Sequence, residues 1–476
     1  VSRWTGALRK YFNIPPAKSP MSISAISSRP SIFCTAASDV RPVAAAPVAP
    51  DRRSEALWPA YRGAARDGQY RHPIRTDWPA DGLPRLWQQP VGGGYASFAA
   101  ADGHLFTIEQ RRDQEVVTAY DVETGRELWA HGWEALFKEV MGGDGPRATP
   151  TWDDGRLFAL GATGELHSLD AATGELRWRT NILTDAGATN LTWAMSASPL
   201  VVDGMVVVLP GGANGQSVVA YDADTGDLVW AALDDGQGYT APMLVELAGV
   251  RQILVVTASR AVGLTVESGT LLWEYPWVTS SGPPNISMPV VVGEDRVFLS
   301  AGYGHGGALI DIAATEGGLS ARERWRTNRM KNRFATSVLY DGYLYGLDES
   351  ILACIDAETG ELAWKGGRYG HGQLLLADGH LVVLTERGEV VLVRATPDGH
   401  DAENPNYVCA MRSAIHASEL SNQFDLPSLH DSPSPCGLQP DLTRLMRTWS
   451  YEESIHGCMA GRWAGRSAGP RVEREG

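Results

Sequence analysis

From Gly92 to about residue 396, apolar positions come in short runs separated by turn-forming pairs. Arg156–Leu160 and Met205–Leu209 are examples of such runs. Asp-Gly pairs punctuate them at 102–103, 154–155, 203–204, 341–342 and 378–379. Asp-Gly between alternating apolar runs is a strong short-range hairpin signal. Each period holds four such runs, which predicts a four-stranded antiparallel unit and no long helix.

A string recurs between the third and fourth runs. It reads Ala119-Tyr-Asp121-Val-Glu-Thr124-Gly125-Arg-Glu-Leu-Trp129, and again 220–230 and 354–364. Looser copies cover 168–178 and 263–273. The Asp can accept from N–H groups two and three residues on, and the Gly supplies a positive φ. The small first residue leaves room for an indole, so the Trp can lie flat against a neighbouring unit and bury roughly 150–250 Å². Trp129, Trp178, Trp230, Trp273, Trp325 and Trp364 are therefore docking residues, and Cys354 takes the small-residue slot.

The tryptophans at 87, 129, 178, 230, 273, 325 and 364 are spaced by 42, 49, 52, 43, 52 and 39. That is the period of propeller blades. The fold class is all-β, a β-propeller of four-stranded antiparallel blades. Seven units are readable: 92–129, 143–178, 195–230, 239–273, 285–325, 334–364 and 371–396. In the fifth, Asp311 and Trp325 stand 14 apart instead of 8, a six-residue insertion. Leu86-Trp87 looks like the last strand of another blade, so eight blades are expected, the last incomplete or degenerate. The domains are then a disordered or targeting segment at 1–53, the propeller at 54–397, and an atypical tail at 398–476.

The tail has no Asp-Gly hairpin and no Thr-Gly turn. It reads as a degenerate, disordered or frame-altered segment. Its Cys409, Cys436 and Cys458 fit no usual structural zinc spacing. No Cys-x-x-Cys occurs among the five cysteines, so no disulfide framework is indicated. The net charge of −15 argues against nucleic acid as a partner. No apolar run spans a bilayer as a helix. The N-terminal region carries no convincing signal, and Phe33 before Cys34 spoils a lipidation site.

Topology assigns loops to faces. Those entering the first strand of a blade share one face with those joining its second and third strands. The former include 142–147, 190–193, 237–240, 283–285, 331–333 and 368–371; the latter include 111–112, 211–214 and 302–306. Arg147, Lys331, Arg333 and Arg368 would form a positive funnel there, suited to an anionic ligand or peptide carboxylate. Trp193 lies outside the docking series and is expected to be exposed and functional. Asn332, His305 and His371 complete the candidate partner-binding set. The competing reading is that these side chains satisfy loop backbone.

The repeats resemble the tryptophan-docking motifs of pyrroloquinoline-quinone (PQQ)-like β-propellers, over about 55–397. That superfamily includes quinoprotein alcohol dehydrogenases and the propeller lipoprotein of the bacterial outer-membrane β-barrel assembly machinery. Together with Trp58-Pro-Ala-Tyr-Arg-Gly, the repeats look most like the non-enzymatic members. The resemblance implies a monomeric, periplasmic or otherwise extracytoplasmic scaffold that binds a protein or peptide, without cofactor and without catalytic or metal-binding residues. The alternative is a PQQ-dependent dehydrogenase, but such enzymes typically carry a vicinal Cys-Cys pair and a Ca²⁺ site. Here no Cys-Cys occurs and Asp144 stands nearly alone on the channel face. A third possibility is a structural module without a partner.

Overall fold

The computed structural model describes residues 57–79, 83, 85–140, 142–279 and 285–408. Within them lie seven sheets, each with four consecutive antiparallel strands, one fewer than the eight blades expected from the Trp87 position. Blades 1 to 7 cover 99–134, 151–181, 200–232, 243–276, 290–327, 338–368 and 373–408. The first strand of each blade is short and lines the centre, and the fourth lies at the rim. The reading of residues 409–476, and of 1–53, lies outside the described residues. The fourth strand of blade 7 is Ala402–Val408, from the stretch read above as tail.

The hairpins form as the pairs dictate. Asp102 and Gly103 both take positive φ, 50° and 74°, and Asp203-Gly204 repeats this at 48° and 73°. Two positive φ values in a two-residue loop match the right-handed twist of the flanking strands. The insertion in blade 5 does not form a loop. It lengthens both strands of a hairpin, Gly306–Thr315 and Gly318–Thr327. The hairpin packs on blade 4, where Arg326 reaches the Tyr275 hydroxyl at 3.0 Å.

Cohesion between blades is visible in one repeated contact. The indole N–H of Trp129 donates to the Ala171 carbonyl at 3.1 Å, and that of Trp178 to Ala223 at 2.9 Å. Trp230, Trp325 and Trp364 do likewise to Val266, Ala357 and Thr396. In the first four cases the acceptor directly follows the first residue of the next blade's turn motif. The ring also lies on that motif's glycine: a Cβ on Gly174 would sit 2.5 Å from Trp129, and one on Gly226 2.8 Å from Trp178. The Thr-Gly glycine thus serves two blades, turning its own strand and seating its neighbour's tryptophan. Trp273 departs from the series. It bonds Gln252 of its own blade at 2.6 Å, and Gly263 leaves the space for that contact.

Blade 7 meets blade 1 through a shared core that joins Leu375, Val382 and Leu392 to Phe98, Leu105 and Tyr120, with Trp58, Tyr70 and Trp78 between them. Leu86-Trp87 forms no strand, yet the Trp87 indole bonds the Val122 carbonyl of blade 1 at 3.2 Å. It docks as the last tryptophan of a preceding blade would.

The leading segment runs across the inner strands. Trp58 bridges Ala100 in blade 1, and the Pro59 carbonyl accepts from Trp152 in blade 2 at 2.8 Å. Gln69–Tyr70 pairs in parallel with Leu376 and Ala377 of blade 7. The chain itself thus crosses the inner edges of blades 1, 2 and 7, which the repeat pattern does not foretell.

Candidate functional site

The loop-bearing face gathers its charge at blade 6. The turn Asp348-Glu349-Ser350 joins the second and third strands of that blade. Asp348 is fully buried and pairs with Lys331 and Lys365, each at 2.5 Å. Burial alone would raise its pKa, but the two lysines hold the carboxyl below its usual range. Glu349 pairs with Arg333 at 2.9 Å, and the Arg333 guanidinium stacks 4.5 Å above the Tyr303 ring. Ser350 accepts from Arg368 at 3.1 Å. Four cations thus grip one turn that holds two carboxylates, and with Glu386 alongside at His371 a net positive charge remains. Arg368 is exposed.

His371 stands beside this group. Its ring meets Phe334 edge-on at 5.9 Å, and its backbone N–H donates to Glu386 at 3.2 Å. Burial, then the nearby Arg333 charge, lowers its pKa, so the imidazole resists protonation. Asn332 lies beneath: it is 1% exposed, accepts from Ser337 at 2.8 Å and donates to the Leu347 carbonyl at 3.3 Å. It positions the loop and presents nothing to a ligand.

The remaining candidates lie elsewhere. Arg147 is buried, bonds the carbonyls of Gly145 and Gly143, and lies over Tyr95 and Phe137. It braces its own loop and is not a free cation of a funnel. Trp193 is half-buried against Tyr239, with ring centroids 6.2 Å apart. His305 meets Trp277 edge-on at 4.6 Å. Residues 280–284, part of one candidate loop, are outside the described residues.

Lys365, Asp348, Ser350 and Tyr303 were not singled out from sequence. Their convergence depends on strand register. Cross-strand pairing places Ala353 opposite Lys365 and Ile351 opposite Arg368, which brings both cations to the turn.

A second titratable group lies between blades 1 and 2. The His131 and His167 rings face each other at 3.1 Å between nitrogens, and Trp133 stacks on His167 at 4.0 Å. Glu115 is fully buried next to them and accepts from the Ala162 N–H at 2.9 Å. Burial pushes Glu115 up to about 7, and burial with the His131 and Arg179 charges pushes His167 down to about 3.

Comparison with known proteins places the chain in a family. A family profile described as outer membrane protein assembly factor BamB matches residues 112–366. The chain belongs to this family. It is 21% identical over 306 residues to the BamB of Bordetella pertussis, covering 63% of this chain and 72% of that one. It is 34% identical to quinohemoprotein alcohol dehydrogenase ADH IIB of Pseudomonas putida, but over only 24% of this chain and 17% of the enzyme. The crystal structure of BamB from Moraxella catarrhalis superposes with a TM-score of 0.46 at 18% identity, covering 65% and 85% of the two chains.

Proposed function

We propose that this chain is a non-enzymatic propeller of outer-membrane protein assembly, placed in the periplasm, that docks an acidic protein segment on the loop rim of blade 6. The observation that carries this reading is the turn at 348–350, held rigid by its own ion pairs yet left with net positive charge on a protein of net charge −15. Arg368 is exposed and bonds Ser350, so it can offer further N–H donors to a carboxylate, with the charge of Arg333, held by Glu349 and Tyr303, beside it. Membership of the BamB family supports the assembly role. The charge surplus favours a docking protein over a module without a partner.

The test is capture of outer-membrane assembly proteins by the tagged full chain. The Arg333→Glu, Arg368→Glu double variant should lose capture while staying folded at the assay temperature, although loss of the Arg333–Glu349 pair lowers its melting temperature. Undiminished capture would remove blade 6 from the account. The dehydrogenase alternative has its own check. Incubation with PQQ and Ca²⁺ should give no dye-linked alcohol oxidation; activity that disappears in Asp144→Asn would establish the enzyme instead.

A further inference from the structure

Arg66 is 2% exposed and sits inside the ring. Its guanidinium donates to the carbonyls of Ser198 at 2.9 Å, Pro242 at 3.1 Å and Pro199, and to the Thr151 hydroxyl at 3.4 Å. The carbonyls immediately precede the first strands of blades 3 and 4, and Thr151 opens the first strand of blade 2. Thr151 donates its own proton to the Pro199 carbonyl at 2.6 Å, which leaves its lone pairs to accept. The first strand of a blade has no neighbour on its inner side, so its edge presents unpaired carbonyls to the centre. Several such edges converging make a cage of oxygens that suits a planar cation with five N–H donors.

Among the described residues no carboxylate pairs with Arg66, so three backbone carbonyls and the Thr151 hydroxyl replace its water. Burial lowers its pKa to about 9, and the group stays charged at neutral pH. The backbone around it is held in an unusual shape: Arg62 and Arg66 take positive φ, 58° and 56°. Non-glycine residues persist there only when surrounding contacts enforce it. Gly68, at φ +71°, has no room for a side chain, since a Cβ would lie 2.2 Å from the Arg62 guanidinium.

We propose that the inner edges of blades 2, 3 and 4 form a guanidinium-binding site, and that segment 58–70 is its built-in ligand, a strap that ties blade 1 to blade 7 by seating Arg66 there. The strap starts on blade 1 at Trp58 and ends on blade 7 at Tyr70, so seating Arg66 between them holds both ends.

Arg66→Ala in the full chain should lower the melting temperature by about 5 °C. Low millimolar guanidinium should restore most of that loss, while methylammonium, which lacks the planar fork, should not. No recovery, or equal recovery with methylammonium, overturns the site. If the variant does not fold, hydrogen exchange of the unaltered protein decides. The amides of 58–70 should be as slow as those of the blade cores, and exchange within seconds would rule out the strap.

Discussion

The two rims of the propeller are built on opposite principles. On the turn rim, blade after blade repeats one device. The Asp121 carboxylate accepts from the N–H of Thr124 at 2.8 Å and of Glu123 at 3.2 Å; Asp356 does the same at 2.8 and 2.9 Å. Among the described residues of the loop rim no such device recurs. Blade 6 gathers cations, blades 1 and 2 bury a carboxyl beside two histidines, and Arg147 braces a loop. The repetitive rim couples neighbouring blades mechanically, and the irregular rim is free to differ. A change on the turn rim should cost stability, whereas a change at blade 6 should cost binding.

The largest effects are expected at the contact between Gly226 and Trp178. The Gly226 φ is +76° and an added Cβ would strike Trp178 at 2.8 Å. Gly226→Ala should destabilise by about 3 kcal/mol, from left-handed backbone strain together with loss of the tryptophan's seat. Trp178→Ala should cost about 3–5 kcal/mol. Because both break one contact, the double variant should fall well short of the sum in denaturant unfolding. Full additivity would separate the turn from the docking.

Glu115 sharpens the contrast from the other side. Its folded pKa of about 7 lies above its ordinary 4.5, so the folded chain holds the proton more tightly. Between those values stability should fall as pH rises. His167 works in reverse: its folded value of about 3 lies below 6.5, so stability is lost as pH falls through that window. Glu115→Gln should remove the first limb and stabilise the protein at pH 8 by on the order of 2–3 kcal/mol. Unfolding midpoints measured from pH 4 to pH 8 would show it, and an unchanged profile would mean that Glu115 is ionised when folded.

Smaller still is the turn carboxylate itself. Asp121→Ala removes the acceptor for two N–H groups and the Thr124 hydroxyl, and should cost about 1 kcal/mol. At the Asp222 turn the Thr225 hydroxyl is drawn to Asp227 as well, at 2.9 Å. Asp222→Ala should be milder, and thermal melts of the pair would rank them.

The same contrast explains what could be read from sequence. The turn rim was legible because its chemistry is local: Asp, Thr, Gly and Trp lie within eleven residues, and their repetition marks the blades. Only the second duty of the glycine escaped, because its indole partner belongs to the preceding blade. The loop rim was half legible. Arg333, Arg368 and His371 could be assigned to a face, but Asp348 and Lys365 meet only through cross-strand register. Arg147 shows the limit of counting charges, since burial and its own loop carbonyls absorb it. Least visible was the strap, whose partners lie up to 308 residues away, between Gly68 and Leu376.

One binding measurement tests the account most directly. A glutamate-rich peptide is titrated onto the unaltered chain, onto Arg333→Glu with Arg368→Glu, and onto Arg126→Glu, an exposed change on the turn rim. The account predicts salt-sensitive binding that is lost in the blade-6 variant and retained in Arg126→Glu. Equal losses in both variants would show that the peptide reads overall charge, and would contradict a division of labour between the rims.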